Sequence, residues 1–217
     1  MRDIISFFPE ETLKEAVSLF NNKNNVVFSG AGNSSSKAMV LSQILKGKEN
    51  KNRNVLWVVS DPSEQNKVKK ALTVWSDAPV FVYKKREPEE MINFPSSGDF
   101  ERKKRLELIE FVSKVILNKG AVFVLSFSSL LQNFPSFKEI IKNKVIIKTG
   151  DKIDVVDFIE KLVSIGYEST EEDLLKRGSY YRRGDSIFIN PINNNDIFRI
   201  DIDFEEVGQL STVEENN

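Results

Sequence analysis

The chain has 217 residues, 40% of them hydrophobic and 29% charged, with a formal net charge of −1, as is ordinary for one large or two smaller globular domains. It contains no Cys and no His, which excludes thiol nucleophiles, thiolate or imidazole metal sites and any histidine base. The small net charge hides an asymmetry, because from Val145 onward 8 Lys/Arg stand against 16 Asp/Glu, net −8, leaving 23 basic and 16 acidic residues before it, net +7.

In chain order, the opening "MRDIISFFPEETLKEAV" places acids directly after a short apolar patch, so it reads as neither a signal nor a transit peptide. Leu13, Ala16, Val17 and Phe20 then share one helical face. "NVVFSG" is a short apolar strand ending in Gly30, and "SKAMVLSQILKG" is a helix. "VLWVVS" reads as a buried strand, followed by a helix with Asp61 as N-cap and Pro62 at its first position. "PVFVYK" is a third strand, and a polar loop from Lys84 to Gly98 leads into the long amphipathic helix "FERKKRLELIEFVSKVILNKG". "AVFVLSF" is a fourth buried strand. Unbroken apolar strands separated by helices are the pattern of a parallel sheet covered on both faces.

The texture changes at "KVIIKTGDKID". A helix "VVDFIEKLVSIGY" precedes the strands "SYYRRG", "SIFINP" and "IFRIDIDF", with "NNND" as a turn. Alternation in the last strand puts Ile197, Arg199, Asp201 and Asp203 on one face and Phe198, Ile200, Ile202 and Phe204 on the other. The expected fold is therefore α/β: a parallel sheet with flanking helices over residues 1–144, then a smaller α+β domain with antiparallel strands over 145–217. No apolar run approaches a membrane span, so a cytoplasmic location without a membrane partner is expected.

The segment "VVFSGAGNSSSKAMVLSQIL" has the outline of a phosphate-binding loop. A working loop needs a glycine directly before its lysine and a hydroxyl directly after it, for backbone closure on phosphates and for magnesium. Here Gly30 and Gly32 are present, but Ser36 precedes Lys37 and Ala38 follows it. The loop reads as degenerate. Only Asp61 is placed as a second acidic magnesium ligand, and it is better explained as a helix cap. No catalytic residue, cofactor or metal is expected. Two alternatives stay open: nucleotide binding through Lys37, and nucleic-acid binding through the basic first part, whose runs "NKVKK", "YKKREP" and "ERKKR" otherwise read as solvated faces.

The order of these segments, ending in "YYRRGDSIFINPINNNDIFRIDIDFEEVGQL", resembles the N-terminal region of the bacterial transcription-repair coupling factors, the Mfd family, itself similar to the N-terminal part of the excision-repair helicase UvrB. The degenerate loop and the lack of UvrB's long tyrosine-rich hairpin favour the coupling factors. The resemblance implies a non-catalytic module whose C-terminal domain binds UvrA. The translocase ATPase and the contacts to RNA polymerase and DNA would belong to parts of such proteins outside this chain. A further family domain that packs on the first would also lie outside it, which leads us to expect exposed apolar surface there. The resemblance places UvrA-contacting arginines at Arg183 and Arg199. The family's aromatic falls on Asp203, beside Phe204, which could replace it through a shift in register. On the residues alone, Arg182, Arg183 and Arg199 could instead pair across strands with Asp185, Asp201 or Asp203; the two roles can coexist.

Overall fold

The computed structural model describes residues 10–21, 27, 32–47, 50–171, 175–194 and 196–213, apart from the side chains of residues 10, 12, 13, 16 and 21. Of the expected strand at residues 25–30 only Val27 is among the described residues; the rest of it, Gly30 included, lies outside them, as do the side chains of Leu13 and Ala16. The chain divides into two compact units, residues 1–93 with 114–133, and residues 94–113 with 134–217.

In the first unit, helix α1 (Glu10–Asn21) half-buries Val17 and Phe20. Helix α2 (Ser34–Lys46) and helix α3 (Gln65–Trp75) lie on a sheet of strands β1 (Val55–Val59), β2 (Val80–Tyr83) and β3 (Val122–Ser126). Both ladders are parallel and β3 is central, in the order β1-β3-β2. Ala38, Val68 and Leu72 from the helices meet Val59, Val122 and Val124 from the sheet. Fully burying such a side chain contributes about 1.5–3 kcal/mol relative to exposure. Asp61 caps as expected, its carboxylate accepting from Ser63 N at 2.7 Å, and the Ser63 hydroxyl, then that backbone bond, hold its carboxyl below the usual range. It caps a 3-10 turn, Pro62–Glu64, that runs into α3.

On the opposite sheet face Phe81 stacks on Phe123 at 5.4 Å, and Lys114 sits 5.5 Å above Phe81. All of β3 is buried, but β1 alternates, leaving Leu56 at 53% and Val58 at 40% exposure. The expectation of strands covered on both faces therefore holds for β3 and fails for β1, which pairs on one side only among the described strands. Exposed apolar surface on the first part is what the resemblance led us to expect.

In the second unit, helix α4 (Ser97–Leu117) contributes its residues up to Ser113. Helices α5 (Phe127–Leu130) and α6 (Phe137–Lys142) are short; α5 belongs to the first unit and α6, closed by a Ser136/Glu139 capping box, to the second. Helix α7 (Val155–Ser164) starts at Asp154, whose carboxylate accepts from Val156 N and Asp157 N. It lies against strands β4 (Glu168–Ser169), β5 (Ser179–Arg183), β6 (Ser186–Asn190), β7 (Ile197–Asp203) and β8 (Glu206–Val213), ordered β4-β5-β6-β7-β8. The β4–β5 pair is parallel and the rest are antiparallel. Phe158 and Leu162 of α7 bury Tyr180, Ile187, Ile189, Ile200 and Val207.

Within this unit, Arg102 on α4 meets Glu168 at 2.7 Å and donates to the Gly178 carbonyl at 2.9 Å, while Arg177 meets Glu110 at 2.7 Å. The basic run "ERKKR" is thus not only a solvated face. Among the described residues no helix is long and apolar enough to cross a membrane.

Candidate protein-interaction face

The two faces of the antiparallel sheet separate by strand alternation. One face goes to the α7 core. On the other, the register aligns Tyr181, Phe188, Arg199 and Ser211 in one row and Arg183, Ser186, Asp201 and Gln209 in the next. The β5–β6 connection is the pair Gly184–Asp185, with Gly184 at φ +60°, the requirement of a two-residue hairpin with glycine first.

Arg199 is held on three sides. Its Nε donates to Asp201 Oδ1 at 2.8 Å, its Nη2 donates to Ser186 Oγ at 3.4 Å, and its guanidinium carbon lies 5.7 Å from the Phe188 ring centroid. Phe188 in turn stacks on Tyr181 with centroids 4.5 Å apart and planes 4° from parallel. The Ser186 hydroxyl donates to Asp201 Oδ1. That bond is the largest cause holding the Asp201 carboxyl below the usual aspartate range; burial opposes it, and the hydrogen bond and charge of Arg199 add to it.

Arg183 is exposed at the end of β5, and the adjacent Arg182 donates from Nε to the Gly184 carbonyl at 2.9 Å. Strand β6 lies between Arg183 and Arg199, as it does in the sequence. Two strand spacings and a two-residue offset in register place their Cα atoms about 12 Å apart. The expected cross-strand pairing of Arg199 is replaced by a pairing along its own strand, with Asp201.

Asp203 is exposed and pairs with Glu206 where β7 and β8 meet. Phe204 departs from its expected place on one face with Ile200 and Ile202. It is the first of two turn residues, Phe204 at φ +44° and Glu205 at φ +68°, and its side chain is 96% exposed. Both positive φ values meet the condition of a type I′ connection, which twists the hairpin correctly but which bulky residues adopt at a cost. The turn delivers Phe204 to the hairpin tip.

Ser186 and Phe188 were not singled out by sequence, although the period-two alternation of "SIFINP", aligned through the Gly184–Asp185 turn, puts both beside Arg199.

Around the phosphate-loop segment, Gly32 takes φ +63°, and the Asn33 side chain caps α2 by accepting from Ser35 N at 3.0 Å and Ser36 N at 3.1 Å. Ser35 Oγ also accepts from the Trp75 indole at 2.9 Å, and Lys37 is exposed on the first turn of the helix.

Residues 145–217 match the UvrB interaction domain family. Similar curated proteins include UvrABC system protein B of Methanococcoides burtonii, 30% identical over 100 residues, covering 46% of this chain and 15% of that protein. UvrABC system protein B of Leptospira biflexa is 28% identical over 142 residues, covering 62% and 21%. That of Methanococcus maripaludis is 31% identical over 107 residues, covering 48% and 16%. The chain thus spans about a fifth or less of the length of these relatives. It carries a UvrB interaction domain and is a distant homologue of UvrABC system protein B.

Proposed function

We propose that this chain is a non-catalytic adaptor of nucleotide excision repair that recruits UvrA through residues 145–217, as part of a transcription-repair coupling factor. The observation that carries the reading is the agreement in place between the UvrB interaction domain match and an outward sheet face bearing Arg183 and Arg199. Guanidinium groups fit carboxylates in fixed geometry, and Arg is enriched where interfaces hold most of their energy. Arg183 and Arg199 supply the charged contacts, with Asp203 and Phe204 at the hairpin tip extending the surface. The net-acidic balance of this part disfavours a nucleic-acid backbone as its ligand.

The coupling-factor reading in particular is supported by the phosphate-loop segment. A phosphate at a helix start is held by unsatisfied N–H groups. Here the Asn33 side chain already takes two of them, Lys37 lacks a preceding glycine, and Ala38 offers no oxygen to magnesium. A loop of this kind fits a domain that has lost nucleotide chemistry.

A second reading, a UvrB-like fragment with residual nucleotide or DNA binding, is favoured by the names of the relatives, all UvrABC system protein B among those given above. One experiment separates the two. The chain is mixed with purified UvrA and, separately, with labelled ATP and with duplex DNA at several salt concentrations. The adaptor reading expects co-elution with UvrA from a sizing column and no ATP binding that depends on Lys37. ATP binding abolished by Lys37→Ala, or DNA affinity falling steeply with salt, without UvrA co-elution, would refute it.

A further inference from the structure

The contacts of Arg199 go beyond placing it on the face. A guanidinium offers a side edge, made by Nε and one Nη, and an end edge made by the two Nη groups. The side edge of Arg199 is occupied by Asp201 and Ser186, and its flat face rests near Phe188. Among the described residues Nη1 has no hydrogen-bond partner, and the side chain remains 45% exposed. At the end edge, Nη1 is therefore left without an acceptor among the described residues.

We infer that Asp201, Ser186 and Phe188 are positioning residues that hold Arg199 with its end edge presented for a carboxylate of the partner protein. The inference rests on the proposed contact between Arg199 and UvrA, and deepens it by naming the ligand chemistry and the groups that prepare it. A free arginine side chain loses rotamer freedom when it is fixed at an interface. A side chain already held by Asp201 and Phe188 has lost much of that freedom before the partner arrives, which is the effect of preorganisation on affinity. Asp201 itself is fixed by the Ser186 hydroxyl across the β6–β7 pair, and Phe188 by its stack on Tyr181. The set is a relay of orientation, with Arg199 as its outermost member.

The sign of the effect separates positioning from its main rival. If Asp201 acted as an internal competitor for Arg199, its removal would strengthen partner binding. If it positions Arg199, removal weakens binding, and Asp201→Asn, which keeps an acceptor for Nε and for Ser186, restores part of the loss.

The test is a double-mutant cycle on the whole chain, with purified UvrA as the probe and dissociation constants read by calorimetry. Arg199→Ala is expected to weaken binding about 30-fold, the scale of an interface hot spot. Asp201→Ala should weaken it about 5-fold or more in the wild-type chain and less than about 2-fold in the Arg199→Ala background, with Asp201→Asn intermediate. Ser186→Ala should act in the same direction and more weakly. Far-UV circular dichroism of each variant shows whether it remains folded. Tighter binding by Asp201→Ala, or an equal loss in both backgrounds, overturns the positioning role. No effect of Arg199→Ala on a folded chain that binds UvrA points instead to failure of the contact on which the inference rests, and overturns it with that contact.

Discussion

The strained turn at Phe204–Glu205 supports a quantitative prediction. Each non-glycine residue in the left-handed region costs roughly 1–2 kcal/mol. Asn tolerates that region and Gly adopts it freely, although Gly gives back about 0.5–1 kcal/mol through the entropy of the unfolded chain. Phe204 is 96% exposed, so truncating it loses little packing, and the contact that Glu205 makes to Ile153 N at 2.8 Å is through its main-chain carbonyl, which survives substitution. The double change Phe204→Asn, Glu205→Gly should therefore stabilise the second unit by about 1–2 kcal/mol. Both tryptophans, Trp57 and Trp75, lie in the first unit, so their fluorescence would report on the wrong part of the molecule. The suitable assay is native-state amide exchange at Ile202 and Val207, whose N–H groups donate to Asp185 and Asp151 carbonyls at 2.8 and 2.9 Å. Slower exchange by about five- to thirtyfold, where exchange follows opening of the second unit, is expected. Unchanged or faster exchange in a folded variant would refute the strain argument. If Phe204 contacts UvrA, the same variant binds it more weakly while folding more stably, an opposition of signs that marks strain retained for function.

Other predictions concern the two units separately. Gly120→Ala places a Cβ 2.2 Å from the Lys51 carbonyl oxygen at φ +69°, so a loss above about 3 kcal/mol is expected, visible as an early fall in tryptophan fluorescence in urea. Asn54→Ala removes donations to the Val115 and Asn118 carbonyls at 3.1 and 2.9 Å and strands the Ala121 N–H that donates to Asn54, for a loss of about 2–3 kcal/mol by the same readout. The lowered Asp201 pKa means that its contribution to the folded state is present above the unfolded pKa and is lost as pH falls through the lower folded pKa. Carboxyl NMR titration should find its midpoint below the usual aspartate value, and Ser186→Ala should move that midpoint upward. Because Asp201 is only half-buried and its Arg199 partner is exposed, solvent screens the pair and the stability effect should be small.

The legibility of this chain in its sequence follows the strength of local signals. Runs such as "AVFVLSF" and helices such as "VVDFIEKLVSIGY" declare themselves because periodicity and caps agree, and β3 and α7 stand where they were expected. Strand β8 was missed because "EVGQLSTV" is polar, and its pairing slips by one residue opposite Asp201–Ile202, which breaks strict alternation. Alternation carried through β7 puts Phe204 on one face with Ile200 and Ile202, while "FE" has none of the Asn-Gly chemistry that announces the type I′ turn in which it sits. The placement of Arg102 and Glu110 beside Glu168 and Arg177 could not be read, since nothing local to α4 encodes contacts 66 and 67 residues distant. Arg183 and Arg199 were nameable from sequence, but the grip of Asp201, Ser186 and Phe188 on Arg199 emerges only from register.

The most direct test of the adaptor account is calorimetric titration of the chain with UvrA, beside the double variant Arg183→Ala, Arg199→Ala. The account expects saturable binding by the wild-type chain, weakened by about two to three orders of magnitude in a variant that remains folded. No heat of binding from the folded wild-type chain, or equal affinity in the double variant, would contradict it.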